Sequence, residues 1–431
     1  MNLFEKPFQA IVIGIFAFLA ILGLIIFSNF SGFKTGVEIG TVSIWGTLPE
    51  GSMMAQINSF KSANKDYAGV TYTQIPLETF DNTLANALAS GSGPDLIIIS
   101  QEQLVAEQSK LNVIPFSSIS SRTYLDTFVP IGELFLTTTG TFGIPFVVDP
   151  LVLYYNRTIL NGAGIAAAPT SWEAVMGLSE RLTTKNNGQL VRSTISFGEY
   201  GNVGNARAIL SLLLLQSGTT ITSVNASGLY SSLESGAGAT GVNSSQSAVN
   251  FYTQFADPAK TVYTWNRAQP EARQAFLAGD LALYVGFASE LPSLSAGNPN
   301  LDFDMARIPQ PQVNATRTTF GRVYGFAIPK ASKNPSGAFS TAVALTTPDQ
   351  VAIGATNLSM APATRSLLTS QSSDKYQAVY FPEALISRGW LSPAPSVTDS
   401  IFSAMISNIT TGRKNTAEAI STASQAINAS L

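Results

Sequence analysis

The stretch GIPFVVDPLVLYYNRTILNGAGIAAAPTSWEAVMGL, residues 143–178, decides how this chain is read. Residues 147–155 are rich in Val, Leu and Tyr, side chains that suit a strand. Asp149-Pro150 interrupts the run, because proline donates no ladder hydrogen bond and restricts the residue before it. The spacing therefore predicts a strand broken at the Asp-Pro step, as suits a chain passing from one lobe to another. Tyr154 and Tyr155 point to opposite faces of that strand, so at most one of them lines a cleft. Downstream, Thr170 followed three residues later by Glu173 predicts a capping box opening a helix that carries Trp172.

Composition narrows the chemistry. The 431 residues suffice for two domains with sizeable cores. Charged residues make up 12%, about half the usual share, so solubility rests on hydroxyls and amides. A net charge of −3 supplies no basic footprint for nucleic acid. The chain contains neither cysteine nor histidine, which excludes disulfides, thiolate chemistry and any triad with an imidazole base. Carboxylate-only mechanisms survive that filter. No cofactor is called for.

Residues 8–27 are apolar apart from Gln9. Twenty helical residues span roughly 30 Å, the thickness of a bilayer's hydrocarbon. A cleavable signal peptide has a shorter apolar core and a small-residue cleavage site, whereas this run exits through Ser28-Asn29-Phe30-Ser31-Gly32-Phe33. The expectation is a membrane anchor over residues 1–34, holding an extracytoplasmic body on the lipid bilayer by a single N-terminal pass.

Beyond the anchor, strand and helix alternate: strand 41–45, helix 52–63, strand 70–75, helix 80–90, strand 96–100. Phe80, Leu84 and Leu88 recur every four residues and predict one buried face. Such alternation implies a parallel sheet covered on both sides. A second α/β region follows Asp149, with an apolar helix over 206–216, a Ser/Gly-rich excursion over 223–247, a helix over 246–256, and strands over 281–286 and 301–307. Residues 400–431 read as helical. The literal G-x-G-x-x-G at 236–241 is rejected as a dinucleotide site, since no apolar strand precedes it.

Pro145-Phe146, Asp149, Leu153-Tyr154-Tyr155-Asn156 and Pro169-Thr170-Ser171-Trp172-Glu173 resemble the hinge strand and following helix of extracellular solute-binding proteins of the ABC-transporter type. Ser43-Ile44-Trp45 resembles that family's first strand, and Gly91-Ser92-Gly93-Pro94-Asp95-Leu96 its Gly-x-x-Pro-Asp strand start. Residues 273–283 resemble its late helix-to-strand signature. The resemblance implies an α/β, two-lobed periplasmic-binding-protein fold with a hinge, here preceded by the N-terminal transmembrane helix. It also implies a strand at 324–329, starting at Tyr324, that returns to the first lobe. Residues 35–149 plus about 325–370 would form lobe 1, and 150–324 plus about 371–431 lobe 2. The implied function is capture of a small hydroxylated solute, a mono- or oligosaccharide, for an ABC permease, with no catalysis. The same fold could instead serve a sensing subunit of a membrane receptor. A glycosidase pairing Asp149 with Glu290 is the enzymatic alternative.

In open α/β sheets ligands bind beyond the carboxyl ends of the strands, and this places the candidate contacts. Trp45 closes the first strand and can stack on a sugar face or pack under the next helix. Glu50 is either a contact or an acid favoured by the helix N-terminus. Gln101 and Glu102 end a strand whose loop contacts ligand in sugar-binding relatives. Asp149 aligns with a cleft acid of those relatives, the alternative being a structural hydrogen bond at the hinge. Tyr154, Trp265, Tyr284, Glu290, Tyr324 and Trp390 complete the set. The tryptophan that the family usually carries after the strand at 281–286 is replaced by Ser289 or Glu290.

Overall fold

The structure, a computed structural model, describes residues 39–235, 243–312, 316–369 and 372–431. Its first part alternates β1 (Val42–Gly46), α1 (Glu50–Ala63), β2 (Val70–Gln74), α2 (Leu77–Ala89) and β3 (Leu96–Ser100). β1 runs parallel to β2 on one side and to β3 on the other. β3, Leu-Ile-Ile-Ile-Ser, is buried along its whole length, the pattern of a parallel strand covered on both faces. Phe80 and Leu84 of α2 are buried and Leu88 half-buried, as their spacing requires. Met53, Ile57 and Phe60 of α1 turn inward in the same way.

β4 (Ile144–Asn156) then leads through α3 (Trp172–Leu182), β5 (Gln189–Ile195), α4 (Ala206–Gln216), α5 (Ser244–Thr253), α6 (Ala272–Ala278), β6 (Leu281–Phe287) and β7 (Phe303–Ala306) to β8 (Thr319–Ala327). α7 (Pro335–Leu345), α8 (Pro348–Leu358), α9 (Gln377–Leu385), α10 (Pro395–Thr410) and α11 (Thr416–Ser430) complete the chain. The sheet order is β2-β1-β3-β8-β4-β6-β5, with a short strand at Thr184–Asn186 beyond β5. The first three strands are mutually parallel, whereas β8 and β4 run antiparallel to their neighbours.

β4 corrects one expectation. It is a single 13-residue strand, unbroken at Asp149-Pro150. Residues 144–150 pair with β8, and residues 151–155 pair with β6. Pro150 thus falls where the strand changes partner, the place in a ladder where a missing donor costs least. The step marks the passage between halves without ending the strand.

Smaller differences have equally local causes. The cap of α3 is Ser171, whose hydroxyl accepts from the Ala174 amide at 3.2 Å, and Thr170 lies one residue outside. Glu173 reaches the Gln312 amide instead of closing a capping box. Within the Ser/Gly-rich excursion, Thr222–Asn225 and Gly228–Ser231 form an antiparallel hairpin. The G-x-G-x-x-G at 236–241 and the apolar run at 8–27 lie outside the described residues. Among the described residues, no helix is long and apolar enough to cross a membrane.

The second half is centred on aromatic side chains. Trp172 packs on Phe197 and Phe251, and Phe197 on Tyr252 and Phe255. Each such side chain taken from water contributes about 1.5–3 kcal/mol. The Trp172 indole N–H donates to Gln216 Oε1 at 2.7 Å, tying the start of α3 to the end of α4. Gly279, at φ +84°, closes α6 in the left-handed conformation that glycine adopts without a Cβ penalty, and so sets the entry into β6.

Candidate functional site

Where β4 and β8 cross between the halves, register places Asp149 opposite Arg322. The two side chains are engaged separately. Asp149 is 2% exposed and accepts from Ser289 twice, from the amide at 3.0 Å and from the hydroxyl at 2.6 Å. Burial pushes its carboxyl up to about 7; the two Ser289 bonds and the charge of Arg322 work the other way. Arg322 turns to Glu102, donating from Nε to Oε2 at 2.7 Å, with its guanidinium 4.1 Å from the centre of the Phe287 ring.

Glu102 follows the carboxyl end of β3 and is the hub of a chain of charges. A second guanidinium, Arg207 from the first turn of α4, lies 3.3 Å from each of its oxygens. Arg207 is fixed from behind by Pro395 O at 2.7 Å and Asp399 Oδ2 at 3.3 Å. Asp399 in turn accepts from the Tyr200 hydroxyl at 2.6 Å. Burial disfavours the Glu102 carboxylate, but the two guanidiniums prevail and hold it below the usual range. Tyr324 borders the same cluster, its hydroxyl raised to about 12 by burial.

A second polar cluster forms at the carboxyl end of β6. Glu290 accepts from the Tyr284 hydroxyl at 2.7 Å, from Asn205 Nδ2 at 2.8 Å and from the Phe287 amide at 2.8 Å. Asn205 precedes α4 and spends its amide on Tyr284, Val285 and Glu290 rather than on capping its own helix. Every carboxylate near the crossing therefore already has a partner.

The candidates read from sequence divide by burial. Trp45 is half-buried at the end of β1, and Glu50 is exposed at the start of α1, where its amide donates to Gln74 Oε1. Glu102, Asp149, Tyr284, Glu290 and Tyr324 belong to the clusters just described. The others are bonded inside the protein. Gln101 is fully buried and clamps β8, donating to Gly321 O and accepting from the Val323 amide. Tyr154 is buried, its hydroxyl donating to Phe287 O at 2.8 Å with Ala288 O at 3.2 Å. Trp265 donates to Asn202 Oδ1, and Trp390 donates to Ser211 Oγ while stacking on Phe402. A cavity of about 500 Å³ lies elsewhere, between the end of α5 and the end of α10, and shares no residue with these clusters.

Arg207, Arg322, Asn205 and Asp399 went unmarked in the sequence reading. Two of them carried a signal. Arg207 is the one charge in the helix ARAILSLLLLQ, and Arg322 the one charge in the strand TFGRVYGFA. A lone charge in an apolar element needs a buried partner, and both share Glu102.

Residues 48–352 match the family described as bacterial extracellular solute-binding protein. None of the curated proteins matches. Solved structures share the fold. The cyclic alpha-maltosyl-1,6-maltose binding protein of Arthrobacter globiformis aligns at TM-score 0.74 and 16% identity, covering 90% of this chain and 98% of its own. A solute-binding protein of an ABC transporter from Thermotoga lettingae, bound with alpha-D-tagatose, gives 0.67, 18%, 91% and 99% respectively. The maltotriose binding protein of Thermus thermophilus, bound with maltotriose, gives 0.67, 16%, 90% and 99%. With the family match covering well over half of its length, the chain belongs to the bacterial extracellular solute-binding proteins.

Proposed function

We propose that this protein captures a small hydroxylated solute, a mono- or oligosaccharide, between two lobes joined by β4 and β8, and presents it to the membrane subunits of an ABC importer. The lobes comprise residues 35–149 with about 325–370, and residues 150–324 with about 371–431. Residues 8–27 anchor the body to the membrane's outer face, a reading supported by their length and apolarity. One observation carries the choice of solute class. Around the crossing every carboxylate is already bonded to a guanidinium, hydroxyl or amide. Only Glu102 is matched by guanidiniums; Glu290 is held by neutral donors, and its spare lone pairs suit hydroxyls. The sugars named in the structures of similar fold point the same way.

Trp45 provides the readout. Trp172, Trp265 and Trp390 are buried, and Trp45 is the half-exposed tryptophan of the four. Titration with maltooligosaccharides, mannooligosaccharides and monosaccharides is expected to change intrinsic fluorescence with one sugar class, and Trp45→Phe to remove most of that change. A thermal-shift rise with the same sugar should accompany it, because occupancy stabilises only the folded state. Absence of any shift across neutral sugars, with a clear rise for a charged solute, would overturn the assignment.

A further inference from the structure

Glu102 and Arg207 belong to different halves and stand 105 residues apart in sequence. Each has a firmer hold elsewhere, and Gln101 pins the crossing strand around Arg322 to the end of β3 through Gly321 O and the Val323 amide. Glu102 keeps its 2.7 Å bond to Arg322 on the crossing strand, and Arg207 keeps its 2.7 Å bond to Pro395 O at the start of α10. The contact between them is looser, at 3.3 Å for both oxygens. Arg207 Nε and Glu102 Oε1 face each other without hydrogen-bond alignment. If the halves separate, neither charge is orphaned, because each retains its short bond. A purely structural buried pair lacks that property, since parting it strands two desolvated ions.

We propose that Arg207 is a positioning residue for lobe closure, a reversible latch that draws Glu102 across the gap and populates the closed arrangement before any solute arrives. Asp399 and Tyr200 hold the guanidinium ready: Asp399 binds Arg207 through one oxygen and the Tyr200 hydroxyl through the other. The latch rests on the two-lobed capture reading. It gives Arg207 a role in affinity without contact to solute, because apparent affinity scales with the fraction of molecules already competent to bind.

The absence of cysteine makes the test direct. Asn58→Cys on α1 and Glu180→Cys on α3 place spin labels at exposed positions in the two halves. Distances are measured by double electron–electron resonance on the full chain in detergent, without solute. The wild-type background is expected to give a short, narrow distribution, and Arg207→Met a second population longer by several ångström. Glu102→Gln, which leaves Arg207 and its partners in place, is expected to move the same way and serves if Arg207→Met does not fold. Superimposable distributions in folded variants would overturn the latch, since lost packing alone lowers the melting temperature without shifting the interlobe distance. Sugar titration of the same samples separates the two readings. Sugar binding with unmoved distances refutes the latch alone; a latch-dependent distance without sugar binding supports the latch and refutes the solute assignment.

Discussion

Asp149→Asn should abolish a specific part of this protein's pH-dependent stability. In the unfolded chain the carboxyl ionises near 3.8; in the fold, burial moves it to about 7. Between those values the native state binds a proton that the unfolded chain has released, so stability must fall as pH rises through that window. The contribution is complete below 3.8 and gone once pH has passed 7. The whole displacement corresponds to roughly 4 kcal/mol, and the portion between pH 5 and 8 to roughly 2.5 kcal/mol. Glu107, raised to about 6 by burial despite Lys110, and Glu383, raised to about 7 by burial despite Arg317, act in the same direction. Comparison with Asp149→Asn isolates one group from that background. The amide oxygen can still accept from the Ser289 backbone, so the local geometry is largely kept. Urea denaturation at pH 5 and pH 8 should show the wild type losing about 2.5 kcal/mol more than the variant over that interval. Parallel stability–pH curves for the two proteins would refute the assignment of a buried, protonating Asp149.

Three further substitutions test the packing that holds the site. In Gly354→Ala the added methyl would clash with Phe146 Cζ and meet Gln56 Oε1 at 2.7 Å, so α8 must shift; a loss of about 1–3 kcal/mol is expected by chemical denaturation. Tyr154→Phe removes the donor to Phe287 O and should cost about 1–3 kcal/mol at unchanged pH dependence, also by denaturation. Trp265→Phe loses the bond to Asn202 and leaves a void in a fully buried site; expected are a loss of about 2–3 kcal/mol in urea and an unaltered sugar-induced fluorescence change.

What was legible in the sequence was set by local pattern. β3 and α4 begin and end as read, because uninterrupted apolar runs bounded by polar residues leave little choice of register. β4 was misread at Asp149-Pro150, since the cost of proline depends on which neighbour is paired there. That is decided by β6 and β8, more than a hundred residues away. The candidate residues show the same division. Glu102 and Glu290 lie just beyond strand ends, where chain position alone marks them as candidates. Gln101 follows the same strand end as Glu102, and Trp265 and Trp390 lie in loops, yet all three turn into the interior, a direction fixed by tertiary packing. Arg207 and Arg322 were readable in principle as lone charges in apolar elements, but their shared partner was visible only in three dimensions.

The crossing pair shows how β4 and β8 couple the halves. Asp149 and Arg322 stand opposite each other, close enough for each to influence the other's ionisation, yet each spends its hydrogen bonds on a different half. Asp149 grips Ser289 just beyond β6, in the second half. Arg322 grips Glu102 just beyond β3, in the first. Each half is therefore tethered to the crossing by a charged group on a different strand, through residues at its own strand ends. Those ends are where a solute must be met in an open α/β sheet. A solute hydroxyl reaching Glu102 would share that carboxylate with Arg207 and Arg322. Solute contact and lobe geometry would then share one set of bonds, so a change at either must be felt at the other.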